Sequence, residues 1–319
     1  MNKKMIKLVL LGVIVLATCG FKTLRAGQPY QDEYTEEFEF APGGQFTLMN
    51  VTGTISIIGT DEDRISIKAV KVATKAESRE QAEGMLNRVR IEVNKTEKSV
   101  KVTTKYPKRE GSISFDDEKY SVPRSFMGKI SKAWDILMEV VSGATELDFI
   151  GRGIPVKVNY EIKVPRRTSL EVNNVDGKID ISEIERNVEV QQVNGDLSLG
   201  RLEGDIEANV VNGSVWLKEI NGSIEARCIN GSIELEIGSK ARVTGAELNL
   251  VNGDAVIIVE ESAALDLELA TFSGEVEVEL PLTIKETHRS GKKITGELNG
   301  GGPRMEVIII NGDIRVRKK

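Results

Sequence analysis

V-N-G-D-L-S-L-G-R, residues Val193 to Arg201, is the best copy of a nine-residue unit that runs head to tail seven times between Val175 and Ile237. The first, fifth and seventh positions of every copy are apolar, from Val175, Ile179 and Ile181 in the first to Ile229, Ile233 and Leu235 in the last. With 40% apolar residues overall, chance would fill only about eight of these 21 positions, so the fold is to be read from an internal repeat. Fifth and seventh residues share one side of a strand and the sixth points away. The sixth position reads Asp180, Glu189, Ser198, Glu207, Trp216, Glu225 and Glu234, as an outward column should.

The third position is glycine in six of the seven copies, each time preceded by Asn or a carboxylate (Asn194-Gly195, Asn212-Gly213, Glu203-Gly204). That is the chemistry of a turn with positive φ. Three residues separate position seven from the next position one, which breaks the period of two and places a corner there or at the glycine. Each unit is one short strand plus one turn.

Asn-Gly is also the strongest hairpin signal, so an antiparallel meander is the rival fold. A meander predicts strict alternation through position nine. That position reads Glu183, Gln192, Arg201, Val210, Glu219, Cys228 and Ile237, mostly polar, which favours a β-solenoid. Two units per coil give 18 residues and stack Asn194, Asn212 and Asn230 into an amide ladder, with Glu189, Glu207 and Glu225 in a column facing out. Turns at Gly231, Gly253, Gly274 and Gly296 continue the count with longer loops around strands such as Ala255–Val259 and Leu265–Leu269.

Working outward, Lys3, Lys4 and Lys7 precede an apolar run from Leu8 to Ala17, a secretory leader too short to span a bilayer alone. Export to the cell envelope follows. L-A-T-C, Leu16 to Cys19, resembles a lipobox with Thr18 in an unusual place; lipidation of Cys19, giving membrane attachment, and ordinary cleavage after Ala26 both stay open. Solenoid patterning begins near Phe38, and N-V-T-G-T-I-S-I (Asn50–Ile57) is itself a repeat unit. Residues 76–90 place Ala82, Met85, Leu86 and Val89 at helical spacing, before strands at 91–93 and 100–104. Phe126, Ile130, Trp134, Leu137 and Met138 make an apolar stripe within Ser125–Val141, a helix for the chain's own core or for a partner. The expected division is 1–27 leader, 28–106 β-rich part with one helix, 107–153 insertion with an amphipathic helix, and 154–319 solenoid.

At V-N-Y-E-I-K-V-P-R-R-T-S-L-E-V-N-N-V-D-G-K-I-D-I (Val158–Ile181) and onward through V-N-G-D-L-S-L the chain resembles the bacterial putative-adhesin family. The opening Phe40–Ile57 and the closing V-I-I-I-N-G-D-I-R-V (Val307–Val316) carry the same resemblance, so it spans most of the mature chain. It implies an exported β-solenoid domain of unknown function, brings no catalytic residues, and leaves the insertion Pro107–Gly153 as a departure from a short connection. The fold class is therefore mainly β: a parallel β-solenoid with about two nonapeptide strands per coil, a small α/β N-terminal elaboration and an inserted helix.

The formal charge of −6 and the lack of a basic stripe with interleaved aromatics argue against nucleic acid. His288 is the single histidine and sits in loop-like sequence; with only Cys19 and Cys228 there is no disulfide framework. No nucleophile elbow occurs, and N-G-D or N-G-S turns are not calcium-binding nonapeptides. Cofactors and metals are not expected. Candidate surface residues are Glu189, Glu207, Glu225 and Trp216, the last a flat stacking platform for a sugar or partner aromatic, unless the inserted helix covers it near Trp134. The function read from these features is a non-enzymatic envelope solenoid for adhesion, binding or scaffolding, with an envelope protein or glycan as partner. A carbohydrate-active β-helix enzyme and an envelope-stress accessory docking a membrane protein through the inserted helix are the alternatives.

Overall fold

The computed structural model describes residues 30–107, 155–238, 242–288 and 292–319. The leader, Cys19, and the helix expected over 125–141 with Phe126, Ile130, Trp134, Leu137 and Met138 lie outside the described residues. In chain order the N-terminal part holds β1 (Tyr30–Glu39), β2 (Gln45–Thr52), β3 (Ile55–Thr60), β4 (Arg64–Ala73), α1 (Arg79–Arg88), β5 (Arg90–Lys95) and β6 (Ser99–Lys105). Next come β7 (Val156–Pro165), β8 (Ser169–Asp176), β9 (Ile179–Ile184), β10 (Val188–Asn194), β11 (Leu197–Glu203), β12 (Ile206–Asn212), β13 (Val215–Asn230) and β14 (Ile233–Ile237). The chain ends with β15 (Val243–Asn252), β16 (Ala255–Val259), β17 (Leu265–Ser273), β18 (Val276–Val278), β19 (Leu282–His288), β20 (Lys292–Leu298), β21 (Arg304–Asn311) and β22 (Ile314–Lys318).

The repeats form a parallel solenoid, not a meander. Residues 18 apart are neighbours across the ladder, Leu197 beside Ile179 and Glu207 beside Glu189. One sheet runs β5-β6-β2-β8-β10-β12-β13-β15-β21-β17-β20-β19. The other runs β1-β4-β7-β3-β9-β11-β13-β14-β16-β22-β18. Strand β13 turns the corner and serves both. Leu197, Val215 and Ile233 are fully buried between the sheets, with Val190, Ala208 and Ala226 facing them from the opposite ladder.

The seven copies prove to be two alternating half-coils. Position one is buried in the copies that begin at Ile184, Leu202 and Ile220, but only half-buried at Val175, Val193, Val211 and Ile229. Position nine turns a corner at Glu183, Arg201 and Glu219, whose φ values are 62, 51 and 55°, whereas Gln192, Val210 and Cys228 point into the core. Alternation through position nine thus holds in every second copy, within a parallel fold. Two of the polar ends that this buries donate to corner carbonyls, Gln192 to that of Gly177 and Cys228 to that of Gly213 (3.3 Å), and at a later corner Thr271 donates to that of Gly312 (2.8 Å).

Sequence order and stacking order part company at both ends. The first rung in sequence, β2–β3, lies inside the stack between β6–β7 and β8–β9. The last, β21–β22, slots between β15–β16 and β17–β18. Antiparallel strands β4, β1 and β5 close one end, and the β19–β20 hairpin closes one sheet at the other. Gly296 therefore lies in the middle of β20 rather than at a turn, and His288 is the last residue of β19 rather than part of a loop. The steady spacing of glycines after Gly274 belonged to a hairpin.

Edge strands invite pairing with other chains, and inward charges discourage it. In β1, Asp32 and Glu36 point inward and meet Lys71 and Lys95, each at 2.6 Å. Lys71 also donates to the Leu86 and Val89 carbonyls (3.3 and 3.4 Å), tying the C-terminal end of α1 to the sheet. Ser78 caps the other end of α1 by accepting from the Gln81 amide at 3.2 Å, and Ala82 and Leu86 bury its inner face. The helix expected at 76–90 thus starts a turn later, at its cap.

Glycine is required where coils touch. Gly213 has φ +148°, and a Cβ there would lie 1.9 Å from the Gly195 carbonyl oxygen. Gly84, on the surface of α1, has nothing within 4 Å of that position. Gly213→Ala is expected to destabilise by about 2 kcal/mol or more, and Gly84→Ala to stabilise by roughly 0.5–1 kcal/mol. Urea unfolding of the two variants checks this; equal effects would contradict the close stacking.

Candidate binding face

The outer side of the β8-containing sheet carries an unbroken column of seven glutamates: Glu171, Glu189, Glu207, Glu225, Glu247, Glu306 and Glu268. The sequence singled out Glu189, Glu207 and Glu225, which occupy successive rungs. Rungs about 4.8 Å apart make the column roughly 29 Å long. Adjacent carboxylates at that spacing repel by about 0.9 kcal/mol in a water-like dielectric and about 3.5 kcal/mol at an effective dielectric near 20. Something must offset this.

On the first five rungs a second column, two residues along the strand, does so. Side-chain amides donate sideways to the glutamate of the same rung: Asn173 to Glu171 (3.3 Å), Gln191 to Glu189 (2.9 Å), Asn209 to Glu207 (3.1 Å) and Asn249 to Glu247 (2.7 Å). At the fourth rung Arg227 replaces the amide. It is only 7% exposed, pairs with Glu225, reaches Glu207 at 3.4 Å and donates to Asn209 Oδ1 at 3.2 Å. The far end is neutralised by Lys293 and Arg304, each 2.7 Å from Glu268, which hold that carboxyl below the ordinary glutamate range, Lys293 first. A shallow groove of about 420 Å³ follows the near end, lined by Gln45, Glu171, Glu189, Asp205, Glu207 and Glu225 among others.

At the corner that follows, exposed asparagines form the expected ladder, longer than foreseen. Asn212 donates to Asn194 (2.8 Å), and Asn230 to Asn212, Asn252 to Asn230 and Asn311 to Asn252 (each 2.9 Å). These amides are consumed by the stack and hold its corners together. Trp216 lies on the other sheet, between Ser198 and Glu234, and is 37% exposed. It and the glutamate column therefore belong to opposite faces and cannot grip one ligand. Burial pushes the Cys228 thiol up to about 11, in keeping with a corner-filling role. Among the described residues no group of three or more His, Cys, Asp or Glu is arranged to hold a metal ion.

A family model described as Toastrack DUF4097 matches residues 47–317. The chain belongs to this family. No curated protein matches it. Among solved structures it is similar to a "putative cell adhesion protein" of Clostridium sporogenes at 13% identity, covering 92% of this chain and 100% of that one, with a TM-score of 0.33. It is also similar to a "putative adhesin" of Bacteroides fragilis (10% identity, 92% and 99% covered, TM-score 0.33). A third is a "putative lipid binding protein" of Parabacteroides distasonis (13% identity, 89% and 96% covered, TM-score 0.32). The family resemblance and the β-solenoid fold read from the sequence stand.

What the sequence reading missed in this Toastrack chain is the second column. Eighth positions in alternate copies, Gln191, Asn209 and Arg227, carried the signal, but it shows only once the copies are sorted into two kinds. Glu247, Glu306 and Glu268 were hidden because longer turns and the inserted β21 put them out of step. Arg227→Ala should lower stability by roughly 1–2 kcal/mol, since its carboxylate partners are partly solvated, and the loss should shrink as salt screens the column. Thermal unfolding at low and high ionic strength measures it; a salt-independent loss would mean that Arg227 contributes packing alone.

Proposed function

We propose that this Toastrack chain is an exported component of the cell envelope that acts as a non-enzymatic binding surface for adhesion or scaffolding. The observation that carries the reading is the in-register glutamate column: rigid backbone rungs fix the spacing of seven carboxylates on one broad face, an arrangement suited to holding an extended partner rather than to enclosing a reacting bond. Acceptors dominate this face, so it favours ligands rich in donors or positive charge and repels acidic ones. The leader-like start with Lys3, Lys4 and Lys7 before Leu8–Ala17 supports export.

Sedimentation of purified full-length protein with isolated envelopes tests this. Retention should be saturable, should weaken as salt rises, and should be lost when Glu171, Glu189, Glu207 and Glu225 are together replaced by Gln. No retention by the wild type, or retention indifferent to the four substitutions, would refute the reading.

A further inference from the structure

One occupied position shows how the glutamate face receives a cation. Arg227 stands on a rung directly above Asn209, in register, and its guanidinium serves three acceptors at once: Glu225 on its own rung, with Glu207 and Asn209 Oδ1 on the rung before. Gln191 stands above Asn173 in the same register, with Glu189 on its own rung and Glu171 on the one before. The acceptor set is repeated residue for residue, but a neutral amide stands where the guanidinium was.

The second observation concerns those amides. Asn173 and Gln191 are 3% and 8% exposed, and each is held toward the column by its own N–H donation to Glu171 or Glu189. Their oxygens, Asn173 Oδ1 and Gln191 Oε1, are buried with no hydrogen-bond partner. The corresponding oxygen of Asn209 is the one that Arg227 satisfies. A buried acceptor without a donor has lost its water and gained nothing in return, so this end of the face has an uncompensated demand for donors. Glu171 bonds Thr47 (3.2 Å), Gln45 (3.3 Å) and Asn173, all neutral. Arg227, in the same row, bonds its acceptors at a comparable depth, 7% exposed.

We propose that the Glu171–Asn173 and Glu189–Gln191 rungs are a docking site for arginine side chains presented by a basic segment of a partner protein. This rests on the reading of the chain as a binding surface and names the chemistry of what it binds. A guanidinium is planar, carries five donors in a fixed fork and is weakly hydrated, so it can serve two carboxylates and an amide oxygen together. An ammonium concentrates its charge on three donors and matches the set less well. A neutral glycan hydroxyl supplies donors but no charge to offset two adjacent carboxylates.

The test uses full-length protein and two labelled probes of equal length, hexa-arginine and hexalysine, with affinity read by fluorescence anisotropy at physiological and high salt. Hexa-arginine should bind about tenfold more tightly than hexalysine, a difference of ~1.4 kcal/mol. Gln191→Arg places the guanidinium of this chain on Glu189, Glu171 and Asn173, so it should fill the site from within and weaken hexa-arginine binding about tenfold or more. Ser198→Arg adds the same charge on the opposite sheet and should leave binding almost unchanged. Should Gln191→Arg misfold, the pair Glu171→Gln and Glu189→Gln should give the same loss. Equal affinity for the two probes, or equal effects of Gln191→Arg and Ser198→Arg, overturns the proposal. If envelope retention persists in Gln191→Arg while arginine preference is absent from the wild type, the arginine inference fails and the broader binding reading survives.

Discussion

Backbone approaching backbone at the glycine corners is the constraint on which the rest of this solenoid depends. Each coil must sit about 4.8 Å from the next along its whole length for both ladders to be bonded. At the corners this leaves no room for a Cβ, as the overlap at Gly213 shows. Turn glycines at 177, 195, 213, 231 and 253 lie one above another, and Gly312 and Gly274 extend the column through the rungs that arrive out of sequence. Coils locked in this way cannot slide, because a shift of one residue would turn the buried aliphatic rows into solvent.

Fixed register has a chemical consequence on the outside. A residue type repeated in the unit becomes a row of identical groups about 4.8 Å apart, whatever its charge. Asparagine rows reward this, each amide both donating and accepting along the stack. Glutamate rows resist it, and the structure answers with sideways amide donors, one intercalated arginine and two cations at the far end. Glu171 and Glu189 pair with neutral side chains, whereas Glu207, Glu225, Glu306 and Glu268 each reach a cation, which makes the face asymmetric along its length. On that asymmetry the proposed arginine site rests.

Much of this was legible because a strand with one side on a core must alternate, and a repeat multiplies the evidence. The aliphatic rows, the glycine turns, the Asn194–Asn212–Asn230 ladder and the outward Glu189, Glu207 and Glu225 follow from spacing alone. Helix α1 was visible from Ala82, Leu86 and Val89, although Ser78 moved its start. Less visible was whatever depends on contacts distant in sequence. The slot for β21–β22 between earlier rungs leaves no local trace, since Ile314 looks the same whether its neighbour is Ala255 or some other strand. Averaging the copies also concealed that corner residues such as Glu183 and core residues such as Gln192 share one position of the unit. Trp216 stood out as an anomaly in its column, but the column says nothing about which sheet faces which ligand.

The claim that the glutamates form one straight, in-register column is tested most directly by a distance between its ends. Spin labels at positions 171 and 268, in a chain with Cys19 and Cys228 both replaced by Ser, should give a narrow distribution in pulsed electron–electron double resonance centred at about 29 Å, six rungs of about 4.8 Å. A broad distribution, or a distance far from that value, would mean that the rungs do not stack in this order and that the face described above does not exist.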